Sequence, residues 1–485
     1  MSFKINNINL ITTIMFQVMN VIYGFVLPKT LILNYGSDIN GLISASIQII
    51  GYMKIVEAGL TTASIRQFYK PIVDKNTKKI NDLFQSITFY YKRIANYFML
   101  LSLIGALIYS LIVKTPYNMQ FVFLVVMILA LSTYLEFYFT TKYYVYFLAN
   151  KKIYKFQIAQ ITIQLIKILI VVIGSQYTIN ILLLLTLLTS MILLQIIILK
   201  ILFIKEKVEL SNKYKLIKIE QTGAVLGHQI LGMIIYNGPL ILISILINSS
   251  AASVFALYNM IYGTFYSFYT LVYGQTLLPQ LGHNLAENKI NQVNELHNKY
   301  NKYGVFALFI LLATTIIMIE PFLGLYLQGA DIGYFYHSTA FLFLFYTLMN
   351  CMKVPYQTLI NANGDFRKTL VFSLLESSLF VFVVILFINN ITINTFVIAL
   401  FISSLFKLIG FKIYVNKNIL KESNLNHFNQ VIVIILTFFI ARNIPNFISE
   451  INNIIEWILF SSVSVITLTT ISIIIIISLS KVHVK

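Results

Sequence analysis

Cysteine is nearly absent. Cys351 is the only one in 485 residues, which excludes an intramolecular disulfide and any metal site built from several cysteines. Charge is scarce as well, at 11% of residues, and acid is scarcer than base, with 17 Asp and Glu against 35 Lys and Arg. Catalytic signatures are also missing. The six histidines, His228, His283, His297, His337, His427 and His483, have no H-E-x-x-H or comparable ligand spacing, and neither a P-loop nor a dinucleotide fingerprint occurs. His283 and His297 read as solvated residues on a loop helix. The N-terminus has no small-residue cleavage site, and its first apolar run is long enough to span a bilayer, so that run is expected to stay as the first span.

What the chain has instead is apolar length. Hydrophobic residues make up 58% of it, and its mean hydropathy of +0.82 lies far from that of a water-soluble domain. A hydrocarbon core about 30 Å thick needs about 20 helical residues to cross it. Apolar length and charge clustering predict fourteen spans in an all-α polytopic membrane protein. The first seven are Ile8 to Leu33, Ile39 to Thr61, Ile94 to Val113, Phe121 to Leu148, Phe156 to Ile173, Ile181 to Phe203 and Gln221 to Ile247. The second seven are Ser253 to Gln280, Val305 to Leu325, Phe335 to Asn361, Thr369 to Ile388, Thr395 to Tyr414, Phe428 to Ile444 and Ile455 to Ser480.

With the N-terminus inside, 27 of the 35 basic residues fall in cytoplasmic segments, while Lys114 alone sits clearly in an outer loop. Both termini are therefore expected in the cytoplasm. The net charge of +18 is a topology signal that also meets anionic headgroups, and its segregation to one side argues against a nucleic-acid partner. The predicted outer loops are too short for a folded catalytic domain, so an enzyme is not expected.

An internal repeat supplies the domain organisation. Pro28 of span 1 has a counterpart in Pro239 of span 7, 211 residues later, and Lys79-Ile80-Asn81 recurs as Lys289-Ile290-Asn291 at an offset of 210. Each tripeptide opens a loop helix with one apolar face, Ile80, Leu83, Phe84 and Ile87 in the first and Ile290, Val293, Leu296 and Tyr300 in the second. That spacing predicts helices lying in the inner interface. Six spans separate the copies, so the repeat is parallel and predicts two six-span lobes, residues 1–205 and 206–422, with two spans appended over 423–485.

Ionisable residues inside spans cost about 2.5–3.5 kcal/mol each at a helix centre unless they face protein or water. The set is Lys29, Lys54, Glu57, Glu136, Lys142, Lys167, Glu320, Lys353, Glu376 and Lys407, six basic and four acidic. The surplus of cations predicts a wet cavity that receives an anion. Lys142, Lys353 and Lys407 lie toward inner span ends and can equally snorkel to headgroups. Lys54 and Glu57, three residues apart, can neutralise each other. Lys29 and Lys167 sit in outer halves and have no such explanation. Pro28 beside Lys29, and Asn237-Gly238-Pro239 in span 7, predict hinges at matching places in the two lobes. In span 8, Tyr258, Asn259, Tyr262, Tyr266, Tyr269 and Tyr273 recur at spacings of three or four, a stripe that can line a sugar-accepting surface or simply pack against neighbouring helices.

The segment from Tyr35 to Ile72 resembles the helix 2 region of the bacterial flippases for lipid-linked polysaccharide repeat units, the Wzx-like members of the MATE-related MOP superfamily. The resemblance rests on Gly41-Leu42 after a polar outer loop, on Glu57-Ala58-Gly59, and on the basic-aromatic run from Arg66 to Pro71. Ile360 to Thr369 is similar to the loop between their helices 10 and 11. The resemblance implies a MATE-like two-lobed bundle in the bacterial plasma membrane that flips an undecaprenyl-pyrophosphate-linked oligosaccharide by alternating access. It implies membrane lipids, a polysaccharide polymerase and a chain-length regulator as partners. No cofactor is implied beyond coupling to protons, sodium or the membrane potential. The residues expected to meet substrate are Lys29, Lys54, Glu57, Arg66, Lys167, Asn237, Tyr258, Asn259 and Tyr262. A cation-coupled multidrug antiporter of the same fold and a peptidoglycan-precursor flippase are the alternatives.

Overall fold

A computed structural model describes residues 2–482 apart from 58, 178, 207, 209–210, 212, 220–222, 422–450 and 452. Among the described residues every regular element is a helix. Hydrocarbon offers the backbone no hydrogen-bond partner, and a helix satisfies its N–H and C=O groups within itself.

The elements are α1 (Ser2–Tyr35), α2 (Ser37–Met53), α3 (Leu60–Val73), α4 (Thr77–Ile112), α5 (Met119–Leu135), α6 (Thr141–Ala149), α7 (Ile153–Gln176) and α8 (Ile181–Ile204). They continue with α9 (Gly223–Tyr236), α10 (Gly238–Leu246), α11 (Ser249–Val272), α12 (Leu278–Ala286) and α13 (Ile290–Tyr326). The last four are α14 (His337–Asn363), α15 (Phe366–Leu386), α16 (Ile393–Val415) and α17 (Ile454–Val482). They form two compact units, Met1–Ala256 and Leu257–Lys485, whose boundary falls inside α11.

Nine helices among the described residues are long and apolar enough to cross a membrane, ten with the pair α9 and α10 counted as one bent span. Fourteen spans are expected, and three features of the chain keep the clear ones among the described residues to that number. Helices α11 and α14 follow the expected spans 8 and 10, but tyrosine, asparagine, serine and threonine dilute their apolar character. Helix α14 hides such residues, among them Thr347, Asn350 and Thr358, inside protein instead of showing a uniform apolar surface. Span 13, Phe428 to Ile444, lies outside the described residues, and of α17 only the stretch Ile454–Thr470 enters the count.

In the first unit, α2 unwinds into a 3-10 turn, Lys54–Glu57, and Gly59 takes a left-handed φ of 81° before α3 begins. That conformation is open to glycine at no steric cost. Helix α3 is an element the hydropathy reading folds into a loop. The first predicted loop helix is the opening of the 36-residue α4, whose Asn76 side chain caps it by accepting from the Lys79 N–H. Its apolar face does not lie in the membrane interface as expected. Leu83, Phe84 and Ile87 are buried in a core that includes Phe68, Tyr143, Tyr146 and Phe203, with the Phe84 and Phe203 rings stacked at 4.7 Å. The second loop helix likewise opens α13, and Val293 and His297 are buried. The amphipathic face is satisfied by protein because α3 and α6 pack against α4 at this level.

Near the other end of this unit, α2 packs on α10. The Asn40 side-chain amide donates to Ser253 Oγ at 2.7 Å, and Tyr109 Oη donates to Ser244 Oγ at 3.0 Å. Gly41 lies against the Ser249 carbonyl so closely that a Cβ there would overlap it. In the second unit, α14 packs on α16, α16 on α15, and α13 on α17, where Trp457 Nε1 donates to the Met318 carbonyl at 3.1 Å.

Replacing Gly41 by Ala is expected to lower stability by about 1–3 kcal/mol through overpacking against backbone that has no rotamer to escape into. A melting curve of the purified protein in detergent measures it, and an unchanged melting temperature would refute the close approach.

Candidate functional site

Helix breaks position the first cluster. The 3-10 turn at Lys54–Glu57 and a π turn at Glu136–Thr140, between α5 and α6, interrupt two spans of the first unit and bring ionisable side chains together. Lys54 Nζ lies 3.9 Å from the Glu136 carboxylate, with both side chains about two-fifths exposed. Lys54 therefore pairs with Glu136 and not, as its spacing suggests, with Glu57, because the turn ends the regular helical register they would share. Glu57 accepts instead from the Thr61 hydroxyl and from Tyr91 Oη at 3.1 Å. The Glu136 charge reaches both Glu57 and Lys167. Of the ten embedded ionisable groups, Lys54 and Glu136 thus pair directly, and Glu57 and Lys167 lie within reach of the Glu136 charge.

The other expected residues are distributed more widely. Lys29 is half-buried on α1, which runs as one helix through Pro28. Helices α9 and α10, by contrast, meet at a bend of 43°. Asn237 sits at that bend facing Gly51, and Pro239 opens α10. Arg66 is exposed on α3. Tyr258 and Tyr262 are buried, their rings stacked on Phe343 at 5.5 and 5.8 Å. Tyr262 Oη donates to the Ala340 carbonyl at 3.0 Å, and Tyr258 Oη accepts from the Tyr336 N–H at 3.0 Å. Both hydroxyls are engaged by backbone within the second unit, which is the packing role of the stripe. Asn259, on the adjoining face of α11, is half-buried.

A second cluster was not expected as such. In the second unit Glu376 of α15 accepts from Lys353 of α14 at 3.0 Å and from Lys407 of α16. Lys353 is 1% exposed and Glu376 3%. These lysines do not snorkel to headgroups as their positions near span ends suggest. A carboxylate on the neighbouring helix is a nearer partner than the interface, and the triad carries one net positive charge among three helices. His297 is likewise not solvated. It is buried 5.2 Å from the Tyr356 ring.

Outside the membrane-spanning segments, Glu206 accepts from Lys152 Nζ at 2.5 Å and from Lys155. Burial alone would raise its carboxyl, but the two ammonium groups outweigh that and hold it below the usual carboxylate value of 4.5. Among the described residues no three His, Cys, Asp or Glu side chains stand together as metal ligands.

This architecture matches solved membrane transporters. A structure described as the lipid II flippase MurJ in an inward closed conformation superposes with a TM-score of 0.69 at 14% identity, covering 96% of this chain and 98% of the other. The chain has the fold of the MOP transporters. A multidrug resistance MATE family transporter of that superfamily matches in its inward-facing conformation with a TM-score of 0.55 at 12% identity, over 84% of this chain and 96% of the other. An outward-facing structure with the same description matches at 0.51 and 12% identity, over 89% and 96%. No family model matches the sequence, and no curated protein does. The chain is a multi-pass membrane protein with the fold of these transporters.

Two outcomes follow from the ion pairs. Glu376→Gln leaves two buried ammonium groups without their counter-charge and is expected to cost about 3–5 kcal/mol, read as a lower melting temperature. Because the folded Glu206 carboxyl ionises at lower pH than the unfolded one, its contribution is full above 4.5 and disappears as pH falls through the folded value. Melting temperature should therefore fall more steeply below about pH 5 in the wild type than in Glu206→Gln, and equal slopes would contradict the pairing.

Proposed function

We propose that this chain is a flippase that carries an undecaprenyl-pyrophosphate-linked oligosaccharide repeat unit from the cytoplasmic to the outer leaflet of the bacterial plasma membrane, for a capsule- or O-antigen-like surface glycan. The observation that carries this reading is the likeness over 96% of the chain to a lipid II flippase, at a TM-score above those of the two MATE structures. The resemblance of the segment from Tyr35 to Ile72 to repeat-unit flippases supports the same substrate class.

The chemistry of the first cluster suits a diphosphate. The Lys54–Glu136 contact is long and solvated, so it is worth little, about 0–1 kcal/mol as for exposed pairs. A doubly charged pyrophosphate can take Lys54 from Glu136 and release it again, which an ion pair as buried as Lys353–Glu376 would not allow. Lys29 and Lys167 extend the cationic surface, Arg66 serves at the cytoplasmic side, and Glu57 holds Thr61 and Tyr91 in place. Tyr258, Asn259 and Tyr262 support the second lobe's wall. In this reading lobes 1–205 and 206–422 rock about hinges at Pro28 and at Asn237 to Pro239, while residues 423–485 are appended and the polyprenyl tail stays in lipid. Both termini are cytoplasmic, and a polysaccharide polymerase and a chain-length regulator act next.

The carboxylates favour a second reading. Glu57 and Glu136 stand within each other's field, and paired acids suit an organic cation exchanged for protons or sodium, as in a multidrug antiporter.

Neutralising Lys54 or Lys167 to Gln is expected to cut surface glycan at least tenfold and to accumulate lipid-linked repeat units on the cytoplasmic leaflet, with the protein still inserted. Normal glycan in both variants, together with drug sensitivity in a Glu136→Gln strain, would replace the flippase by the antiporter.

A further inference from the structure

Three lysines of the first unit stand apart from the ion-pair networks. Lys142 on α6 is half-buried, with Nζ 5.2 Å from the centre of the Tyr143 ring and 5.9 Å from that of Phe84. Lys92 on α4 is exposed, with Nζ 5.1 Å from the centre of the Tyr138 ring. Lys200, exposed on α8, is one turn before Phe203, which stacks on Phe84. Two ammonium groups thus stand over rings of one aromatic cluster, and the third lysine is on the helix that delivers Phe203 to it. Lys142 feels the charges of both Lys92 and Lys200. Among the described residues none of the three meets a carboxylate within 4 Å, although lysines elsewhere in this unit find Glu136 or Glu206.

Cation–π contact is worth about 0.5–2 kcal/mol and holds an ammonium group without neutralising it. Mutual repulsion at the edge of a low-dielectric medium remains, and it is relieved by an anion. Depth identifies the anion. Lys142 is seven residues and Lys200 four residues from the ends of α6 and α8, about 10 Å and about 6 Å of helix rise. Lys92 and Arg93 together precede the apolar run that starts at Ile94. With the N-terminus in the cytoplasm, as the basic residues predict, that is the inner-leaflet headgroup level. Beside Lys200, Leu193, Ile197 and Ile201 form an exposed stripe along α8 at spacings of four, a track for a hydrocarbon chain.

We propose that Lys92, Lys142 and Lys200, none of them among the residues proposed to meet the transported substrate, form a binding site for the phosphate of an anionic membrane lipid in the inner leaflet. Basic pockets between transmembrane helices on the cytoplasmic side hold such headgroups. Lysine suits this role because each ammonium is a point charge that can follow a mobile phosphate.

The test is native mass spectrometry of the full chain released from phosphatidylcholine nanodiscs containing either phosphatidylglycerol or undecaprenyl phosphate, with inorganic pyrophosphate as a soluble competitor. Wild type, Lys142→Arg and the control Lys78→Gln are expected to retain one anionic lipid, and Lys142→Gln and Lys200→Gln to lose it at least fivefold. The doped lipid that is retained identifies the source. Equal retention in all variants, or displacement by pyrophosphate with no lipid retained, would overturn the site. Should Lys142→Gln fail to fold, Lys200→Gln decides alone, because that side chain is exposed. The outcome is independent of the flippase reading, since it is scored by bound lipid and not by export.

Discussion

A charge placed in hydrocarbon has to find its partner inside the protein, and both units are organised around that requirement. In the second unit the solution is a bridge, with Glu376 held between Lys353 and Lys407 so that three helices share one buried carboxylate. In the first unit it is a looser network, with Lys54 paired to Glu136, Glu57 held by Thr61 and Tyr91, and Lys167 within reach of the Glu136 charge. The two arrangements differ in consequence. A bridge sealed from solvent ties its helices together, whereas a solvated pair exchanges partners at small cost.

Broken helices make the looser network possible. A continuous α-helix spaces its side chains by a fixed rise and rotation, so a change of register re-aims the side chains that stand on it. The 3-10 turn that ends α2 and the π turn that ends α5 are such changes, and Glu57 and Glu136 stand on them. A similar device recurs in the second unit, where a π turn over Tyr273–Leu277 separates α11 from α12 and Tyr273 Oη donates to the Tyr300 carbonyl. At the π turn that ends α5 the Thr140 and Thr141 hydroxyls donate to the Glu136 carbonyl, so side chains of the same segment help satisfy the backbone there.

Much of this was legible in the order of residues. Apolar length located helices over every expected span that falls within the described residues, and hydropathy alone required a membrane. The embedded ionisable residues could be enumerated from the same reading, including all members of both clusters. Their pairing could not. Lys54 reads as a neighbour of Glu57 on one helix face, and Lys353 and Lys407 read equally as snorkelling or as cavity lysines, because linear spacing is blind to which spans pack together. The amphipathic run from Ile80 to Ile87 has the pattern of an interfacial helix, and the same pattern serves a face buried against α3 and α6. The tyrosines of α11 are equally ambiguous in sequence, and their backbone-bonded hydroxyls assign Tyr258 and Tyr262 to packing.

By itself the sequence determined the solvent of this protein, its helical class and the inventory of charges that hydrocarbon would have to tolerate, because those depend on composition and on runs of apolar residues. Tertiary structure alone decided which cation answers which carboxylate, where helices break, and which apolar faces meet protein instead of lipid. The physical reason is that hydrophobicity is a property of each segment, while ion pairing and burial depend on distances between segments that lie up to a hundred or more residues apart.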